Sequence, residues 1–134
     1  MPRRMFALLF AALLGLPIAL AAAPVRPAVE QAKIDFLLAE IESSRETFIR
    51  NGREYTGKKA ASHLARKLRF AGKRVQTARD FVVGIGSRSL DSGKPYLVRA
   101  SDGKERPLAE WLFERLDRYH RGLAKAAPAS KPGG

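Results

Sequence analysis

The spacing of apolar residues predicts a long helix in the first half of the chain. From Val29 to Arg50, large apolar residues recur at the period of a helix with one buried face. These residues are Ile34, Leu37, Leu38, Ile41 and Phe48. Asn51-Gly52 follows at once, and both residue types accept the left-handed conformation that ends many helices. We therefore predict a single helix over this stretch.

Two more helices are predicted in the middle of the chain. Thr56 is a suitable N-cap for a helix that runs to about residue 70 or 71, and Gly72 would end it. Its apolar face comprises Ala60, Ala61, Leu64, Leu68 and Ala71. The sequence from Thr77 to Asp80 fits a capping box, which predicts a short third helix. Its apolar residues are Phe81, Val82 and Ile85.

A β-hairpin is predicted before a last helix. Ser87–Lys94 has the Ser- and Gly-rich composition of a loop, and Tyr96–Arg99 alternates like a strand. Asp102-Gly103 predicts a two-residue hairpin turn, with a return strand that reaches Arg106. Pro107 suits the first position of a helix. The apolar residues of that helix are Leu108, Trp111, Leu112, Leu116, Tyr119 and Leu123. The predicted fold is mostly α: a small single domain of three to four helices with one short β-hairpin before the last helix.

The N-terminal segment has the pattern of a cleavable signal peptide. Arg3 and Arg4 precede an apolar run from Phe6 to Leu20, and A-x-A sequences end at Ala21 and Ala23. The run of about 15 residues is shorter than the roughly 20 that span a bilayer, which favours cleavage over anchoring. We favour cleavage after residue 21, because a cut two residues later would leave a proline next to the scissile bond.

This pattern predicts an exported protein, located in the periplasm or outside the cell, with no membrane span after cleavage. The predicted organisation is a signal peptide (1–21), an extended leader (22–28), one globular domain (29–123) and a disordered basic tail (124–134).

Charge and cysteine content narrow the classes of function. The 134 residues carry a formal net charge of +12 and include no cysteine, which excludes disulfides, thiolate metal sites and a lipoprotein anchor. Eight basic residues and no acidic residue occur between Tyr55 and Arg79. They are Lys58, Lys59, Arg66, Lys67, Arg69, Lys73, Arg74 and Arg79. Such a stretch attracts anions, although it is also typical of a face that only confers solubility.

The sequence contains little that indicates catalysis, a metal or a cofactor. His63 and His120 lie on different predicted helices without a ligand pattern around them, so no metal site is predicted. No G-x-S-x-G nucleophile elbow occurs, and neither Gly84-Ile85-Gly86 nor Ser92-Gly93-Lys94 completes a phosphate-binding loop. We assign no catalytic residue and predict no cofactor.

An anion-binding site is the best candidate for chemistry in this chain. His63 and Lys67 are four residues apart on one flank of the second predicted helix, and Lys94 and Tyr96 end a polar loop close to the basic stretch. The loop serines have an alternative use, which is to attach the loop to the domain. The candidate anion-binding residues are Arg50, His63, Lys67, Lys73, Arg74, Lys94 and Tyr96.

Several blocks of the chain occur in an order that is fairly specific when they are taken together. They are Phe48–Gly52 with Tyr55-Thr56, Ala60–Leu64 with Lys67, Thr77-Ala78 before Phe81, Ser92–Val98, and Trp111-Leu112. With these blocks the chain resembles the YfeK-like family of short exported bacterial proteins of unknown function. The resemblance covers about residues 34–116 and implies export, but it implies no activity and no catalytic residue. Many relatives have a cysteine pair near the positions of Glu46 and Arg99. This chain has neither cysteine, so a disulfide is not essential to the shared fold.

Three functions remain open from the sequence. The first is a binding or accessory module for an anionic polymer or another anionic envelope component, with nucleic acid as a further candidate partner. The second is a purely structural or protein-interaction domain of the cell envelope. The third is a small hydrolase that uses His63 with a loop serine or Tyr96. The basic stretch favours the first, and the scarcity of histidines and paired carboxylates disfavours the third.

Overall fold

The computed structural model describes residue 15 and residues 23–126, with side chains up to residue 123. The helices are α1 (Ala28–Ser43), α2 (Gly57–Ala71), α3 (Ala78–Gly84) and α4 (Leu108–Ala126), and the strands are β1 (Thr47–Arg50), β2 (Arg53–Tyr55), β3 (Leu97–Arg99) and β4 (Glu105–Pro107). A short 3-10 turn, Gly72–Arg74, follows α2. Among these residues, no helix combines the length and apolarity that a membrane crossing requires.

Helix α1 is the central element, because it contacts the other three helices. The antiparallel sheet packs against α2 and α4. The side chains that are completely buried include Ile34, Leu37 and Ile41 of α1, Phe81 of α3 and Trp111 of α4. Within the part of the chain that the structure describes, all the buried residues lie between positions 26 and 116, so a chain that starts at residue 22 retains every one of them.

The predicted first helix is wrong in its second part. Helix α1 ends at Ser43, because the backbone of the next residue, Ser44, is extended, with φ −70° and ψ 140°. Residues 47–50 form β1, and Asn51 and Gly52 connect this strand to β2. The φ angle is 51° at Asn51 and 73° at Gly52. Two consecutive positive φ angles are the conformation of a type I′ hairpin turn, for which Asn-Gly is the preferred sequence. Asn51-Gly52 therefore turns a hairpin here and does not end a helix.

The mostly helical fold is confirmed, but the sheet is larger than predicted. It has four antiparallel strands in the order β2-β1-β3-β4. The central pairing joins β1 to β3, with Phe48 opposite Val98 and Ile49 opposite Leu97. The residues of these two pairs are 50 and 48 positions apart in sequence, so no local pattern could reveal that the two hairpins form one sheet.

The β3–β4 hairpin lies where it was predicted, but its turn is of another type. The Gly103 amide donates to the Ala100 carbonyl at 2.9 Å, and the Ala100 amide donates to the Lys104 carbonyl at 3.0 Å. Gly103 has φ 82°, whereas Asp102 does not have a positive φ. The connection is thus a three-residue loop closed by a glycine bulge, and not a two-residue type I′ turn.

The helices after the first hairpin agree with the sequence prediction, except that Pro107 ends β4 and α4 begins at Leu108. The Thr56 side chain accepts from the Lys59 amide at the start of α2, and Thr77 and Asp80 form the predicted capping box of α3. Helix α4 continues through Ala126, three residues into the predicted tail. Residues 127–134 and the predicted signal peptide, apart from residue 15, lie outside the described part of the chain.

Candidate anion-binding cleft

Four of the predicted site residues come together beside the middle of α2. Arg50 ends β1, His63 and Lys67 lie one turn apart on α2, and Tyr96 precedes β3. Lys67 Nζ donates to Tyr96 Oη at 2.9 Å, and His63 Nε2 lies 3.4 Å from the same oxygen. The Tyr96 hydroxyl therefore joins the two α2 side chains across the gap between the helix and the sheet.

The ammonium group of Lys67 is bound by hydrogen-bond acceptors of the protein itself. Its ammonium also donates to the carbonyls of Ile85 at 2.8 Å and Arg88 at 3.2 Å, and it lies 4.8 Å from the centroid of the Tyr96 ring. Burial, with repulsion from Arg50 as a smaller cause, lowers the pKa of Lys67 to about 8. Lys67 thus ties α2 to the segment after α3 and has no donor to spare for a ligand.

His63 and Tyr96 are suited to hydrogen bonding in their neutral forms. Burial lowers the pKa of His63 below its usual value, and the nearby Arg50 and Lys67 lower it further. Tyr96 is 4% exposed, and burial raises the pKa of its hydroxyl. A neutral imidazole beside a neutral phenol can position a ligand, whereas a phenol with a raised pKa is a poor nucleophile.

The loop of residues 87–94 is attached to the tip of the β1–β2 hairpin. Asn51 donates through Nδ2 to Ser89 Oγ at 3.2 Å, and Ser92 Oγ donates to Asn51 Oδ1. Arg50 forms an ion pair of 3.0 Å with Asp91. The geometry matches the alternative use of the loop serines, since Ser89 and Ser92 fasten the loop to the domain.

Next to this cluster, a cleft of about 570 Å³ opens between α2 and the sheet. Its apolar lining includes the buried side chains of Phe48, Leu64 and Leu108 and the partly exposed Tyr55 and Leu97. Its cationic side chains are Arg50, Lys58, Lys59 and Arg66. Its volume is within the range of sites for small molecules. His63 and Tyr96 supply the polar groups at one end of the lining.

The other three predicted site residues lie elsewhere. Lys73 is exposed in the 3-10 turn, and Lys94 is exposed on the loop. Arg74 donates to the Ala71 carbonyl at the end of α2 and lines a second groove, between α2 and α3. Within the described residues, no group of three or more His, Asp or Glu side chains could hold a metal ion.

Several residues that shape the cleft were not among the predicted site residues. Lys58, Lys59 and Arg66 belong to the basic stretch, so their charge was visible but their position beside Arg50 was not. Asn51 and Asp91 were missed because their partners are about forty residues away. The spacing of serines around an Asn-Gly turn is too weak a signal to predict such contacts.

The chain belongs to the family of unknown function DUF5329, which matches residues 28–120. It is 37% identical over 68 residues to the protein YfeK of Salmonella typhimurium, described as uncharacterised. The aligned part covers 50% of this chain and 57% of that relative, so only a little over half of the relative is compared. These matches confirm the resemblance to the YfeK-like family. No solved structure is significantly similar.

Proposed function

We propose that the protein is exported and that its domain is a non-catalytic binding module for an anionic envelope component that also has an apolar part. One observation carries this proposal: the cleft beside α2 combines an apolar lining with four cationic side chains. The export part rests on the signal-peptide pattern of residues 1–21. A mature chain that starts at Ala22 or Pro24 would retain Arg26, which donates to the Val75 carbonyl at 2.8 Å.

The apolar lining of the cleft suits the hydrophobic part of an amphipathic anion, and the cationic rim suits its charged group. Burial of apolar ligand surface contributes about 25 cal/mol to binding for each Å² removed from water. The aromatic and leucine side chains of the lining provide the apolar environment for this burial. A carboxylate or phosphate gains from the cationic side chains at the rim, where solvent weakens but does not abolish the attraction. A purely hydrophilic anion would use only the rim, and a neutral apolar molecule only the lining.

Arg50 is the cation best placed to bind the charged group. Its side chain is 29% exposed, and its Nη2 is paired with the highly exposed Asp91. Its Nε is buried and makes no hydrogen bond within the described residues. Exposed ion pairs add little stability, so a ligand anion can compete with Asp91 at low cost. The planar guanidinium also allows two parallel hydrogen bonds to one carboxylate or phosphate.

Calorimetric titration of the chain from residue 22 with octanoate tests this function. Octanoate has both an anionic and an apolar part, 1-octanol lacks the charge, and acetate lacks the chain. We expect octanoate to bind more tightly than either, with an affinity that falls as salt is raised. Arg50→Gln combined with Lys59→Gln should weaken octanoate binding about tenfold, which corresponds to about 1.4 kcal/mol.

Two further variants separate the cleft from general charge. Lys104→Gln removes one exposed positive charge from the β3–β4 loop, away from the cleft, and should leave octanoate binding unchanged. Ser62→Trp places a large ring at an exposed position of α2 that lines the cleft, and it should block the ligand. Equal binding of octanoate by the wild type and the Ser62→Trp variant would reject the cleft as the site.

A further inference from the structure

Three large apolar side chains are exposed around the groove between α2 and α3. Phe70 is 84% exposed, Leu90 76% and Val83 54%, and all three line the same groove of about 800 Å³. Single exposed apolar residues are normal on soluble proteins, but a cluster beside a groove indicates a contact surface. The cluster is distinct from the anion-binding cleft, whose apolar lining comes from the sheet, Leu64 and Leu108.

Phe70 does not belong to the core-facing side of α2. That side is formed by Ala61, Leu64 and Leu68, which are buried. The Phe70 ring projects into solvent from the last turn of the helix, and the Arg74 guanidinium lies 5.9 Å from the ring centroid. A ring that projects from the surface fits a soft apolar medium better than a rigid pocket.

The surroundings of these apolar residues are strongly cationic. Arg66, Lys67 and Arg74 line the same groove, and the adjacent Lys73 is exposed. The one carboxylate in the lining, that of Asp80, accepts the Gln76 and Thr77 amides at 3.0 and 3.1 Å within the capping box of α3. The groove therefore presents apolar side chains that are surrounded by positively charged ones, with a single carboxylate in its lining.

We infer that the α2–α3 groove docks the protein on an anionic lipid surface, with Phe70 and Leu90 inserted at headgroup depth. Aromatic and leucine side chains beside lysines and arginines form the usual pattern of interfacial membrane binding. Each Lys or Arg near an anionic surface adds to the attraction. His63 and Arg66 line both the groove and the anion-binding cleft, so docking here would bring the cleft close to the lipid headgroups.

Co-sedimentation with vesicles tests this inference on the chain that starts at residue 22. Vesicles of phosphatidylglycerol and phosphatidylethanolamine should bind it, and vesicles of phosphatidylcholine alone should bind it at least tenfold more weakly. Phe70→Ala combined with Leu90→Ala should reduce the partition coefficient on anionic vesicles about tenfold. Val29→Ala is the matched control, because Val29 is 65% exposed on α1 and does not line the groove. Lys73→Gln combined with Arg74→Gln should also weaken binding, whereas Lys104→Gln should not.

The outcomes are distinct from those of the octanoate titration. The Phe70 and Leu90 variant should keep its octanoate affinity, and the Ser62→Trp variant should keep its vesicle binding. Binding to anionic vesicles that is unchanged by loss of Phe70 and Leu90 would overturn the inference and indicate simple electrostatic adsorption. The inference would also be overturned if the wild type bound no vesicles or bound phosphatidylcholine vesicles equally well. Capture of an acidic protein by the groove, without any vesicle binding, would overturn it too.

Discussion

At the scale of single residues, Gly57 shows how closely α1 and α2 approach each other. A Cβ atom at this position would lie 2.2 Å from the Ile41 carbonyl oxygen and 2.9 Å from that of Ser44. Both are backbone atoms, which cannot move aside as the end of a side chain can. The first residue of α2 is therefore restricted to glycine by packing.

We expect Gly57→Ala to destabilise the protein by about 1–3 kcal/mol, the usual cost of overpacking, or by more. Chemical denaturation monitored by circular dichroism measures this change. Gly84→Ala is the control, since its Cβ would meet nothing within 4 Å at the end of α3. That variant should be neutral or slightly stabilising, because alanine favours helix more than glycine does. Equal midpoints for the two variants would show that α1 and α2 are further apart.

His63 gives a pH dependence at the same scale. Its pKa is lowered in the folded protein, chiefly by burial and then by Arg50, Lys67 and Arg66, while Asp91 opposes the shift. Below the usual pKa of 6.5, the unfolded chain therefore binds the proton more readily than the folded protein does. The free energy of unfolding should fall as the pH falls through this range.

The difference in unfolding free energy between the wild type and His63→Gln isolates this contribution from the titration of carboxylates. We measure that difference from urea midpoints between pH 7.5 and pH 5. On acidification, the unfolding free energy of the wild type should fall relative to that of His63→Gln. A difference that stays constant over this range would show that His63 has the same pKa in both states.

At the scale of elements, the hairpin tip and the loop of residues 87–94 form one unit through Asn51. Asn51→Gly provides a clean test, because glycine accepts the φ of 51° at this position but has no side chain to hold Ser89 and Ser92. We expect a loss of about 1 kcal/mol in stability, the typical net contribution of a hydrogen bond. Hydrogen exchange at the Ser89 and Gly93 amides should become faster, while α2 amides such as that of Ala61 stay protected. Unchanged exchange at both loop amides would show that the loop is held without Asn51.

The elements that were predicted from the sequence depend on neighbours a few residues away. Thr56 and the Thr77–Asp80 capping box define the starts of α2 and α3 by local hydrogen bonds, so their residue types were sufficient. Strand β1 was missed because Phe48 follows Ile41 at a helical spacing, while its real partner is Val98. A strand of four residues offers too short a pattern to compete with a long helical one.

At the scale of the whole molecule, four of the seven predicted site residues lie together, but the shape of the cleft beside them was not predictable. Arg50, His63, Lys67 and Tyr96 were candidates from charge and spacing, and the structure brings them together. The apolar half of the cleft was not predictable, because Phe48, Leu64 and Leu108 come from three different elements. Helical periodicity marks such residues as core and does not show that a cleft reaches them.

The cleft combines apolar and cationic side chains, which distinguishes this domain from a protein that is merely basic. The basic stretch alone would bind any anionic polymer through exposed charges, with little selectivity. Under the proposed function, the apolar lining adds a requirement for a hydrophobic part of the ligand. The location of a small bound amphiphile is therefore more informative than its affinity.

Chemical-shift mapping by NMR of the chain from residue 22, titrated with octanoate, measures that location most directly. We predict saturable shifts at the amides of Leu64, Leu97 and Leu108 and at the Arg50 guanidinium, smaller shifts with 1-octanol, and none of this pattern with acetate. Shifts confined to exposed lysines, or equal shifts with acetate and octanoate, would show that the cleft does not bind an amphipathic anion.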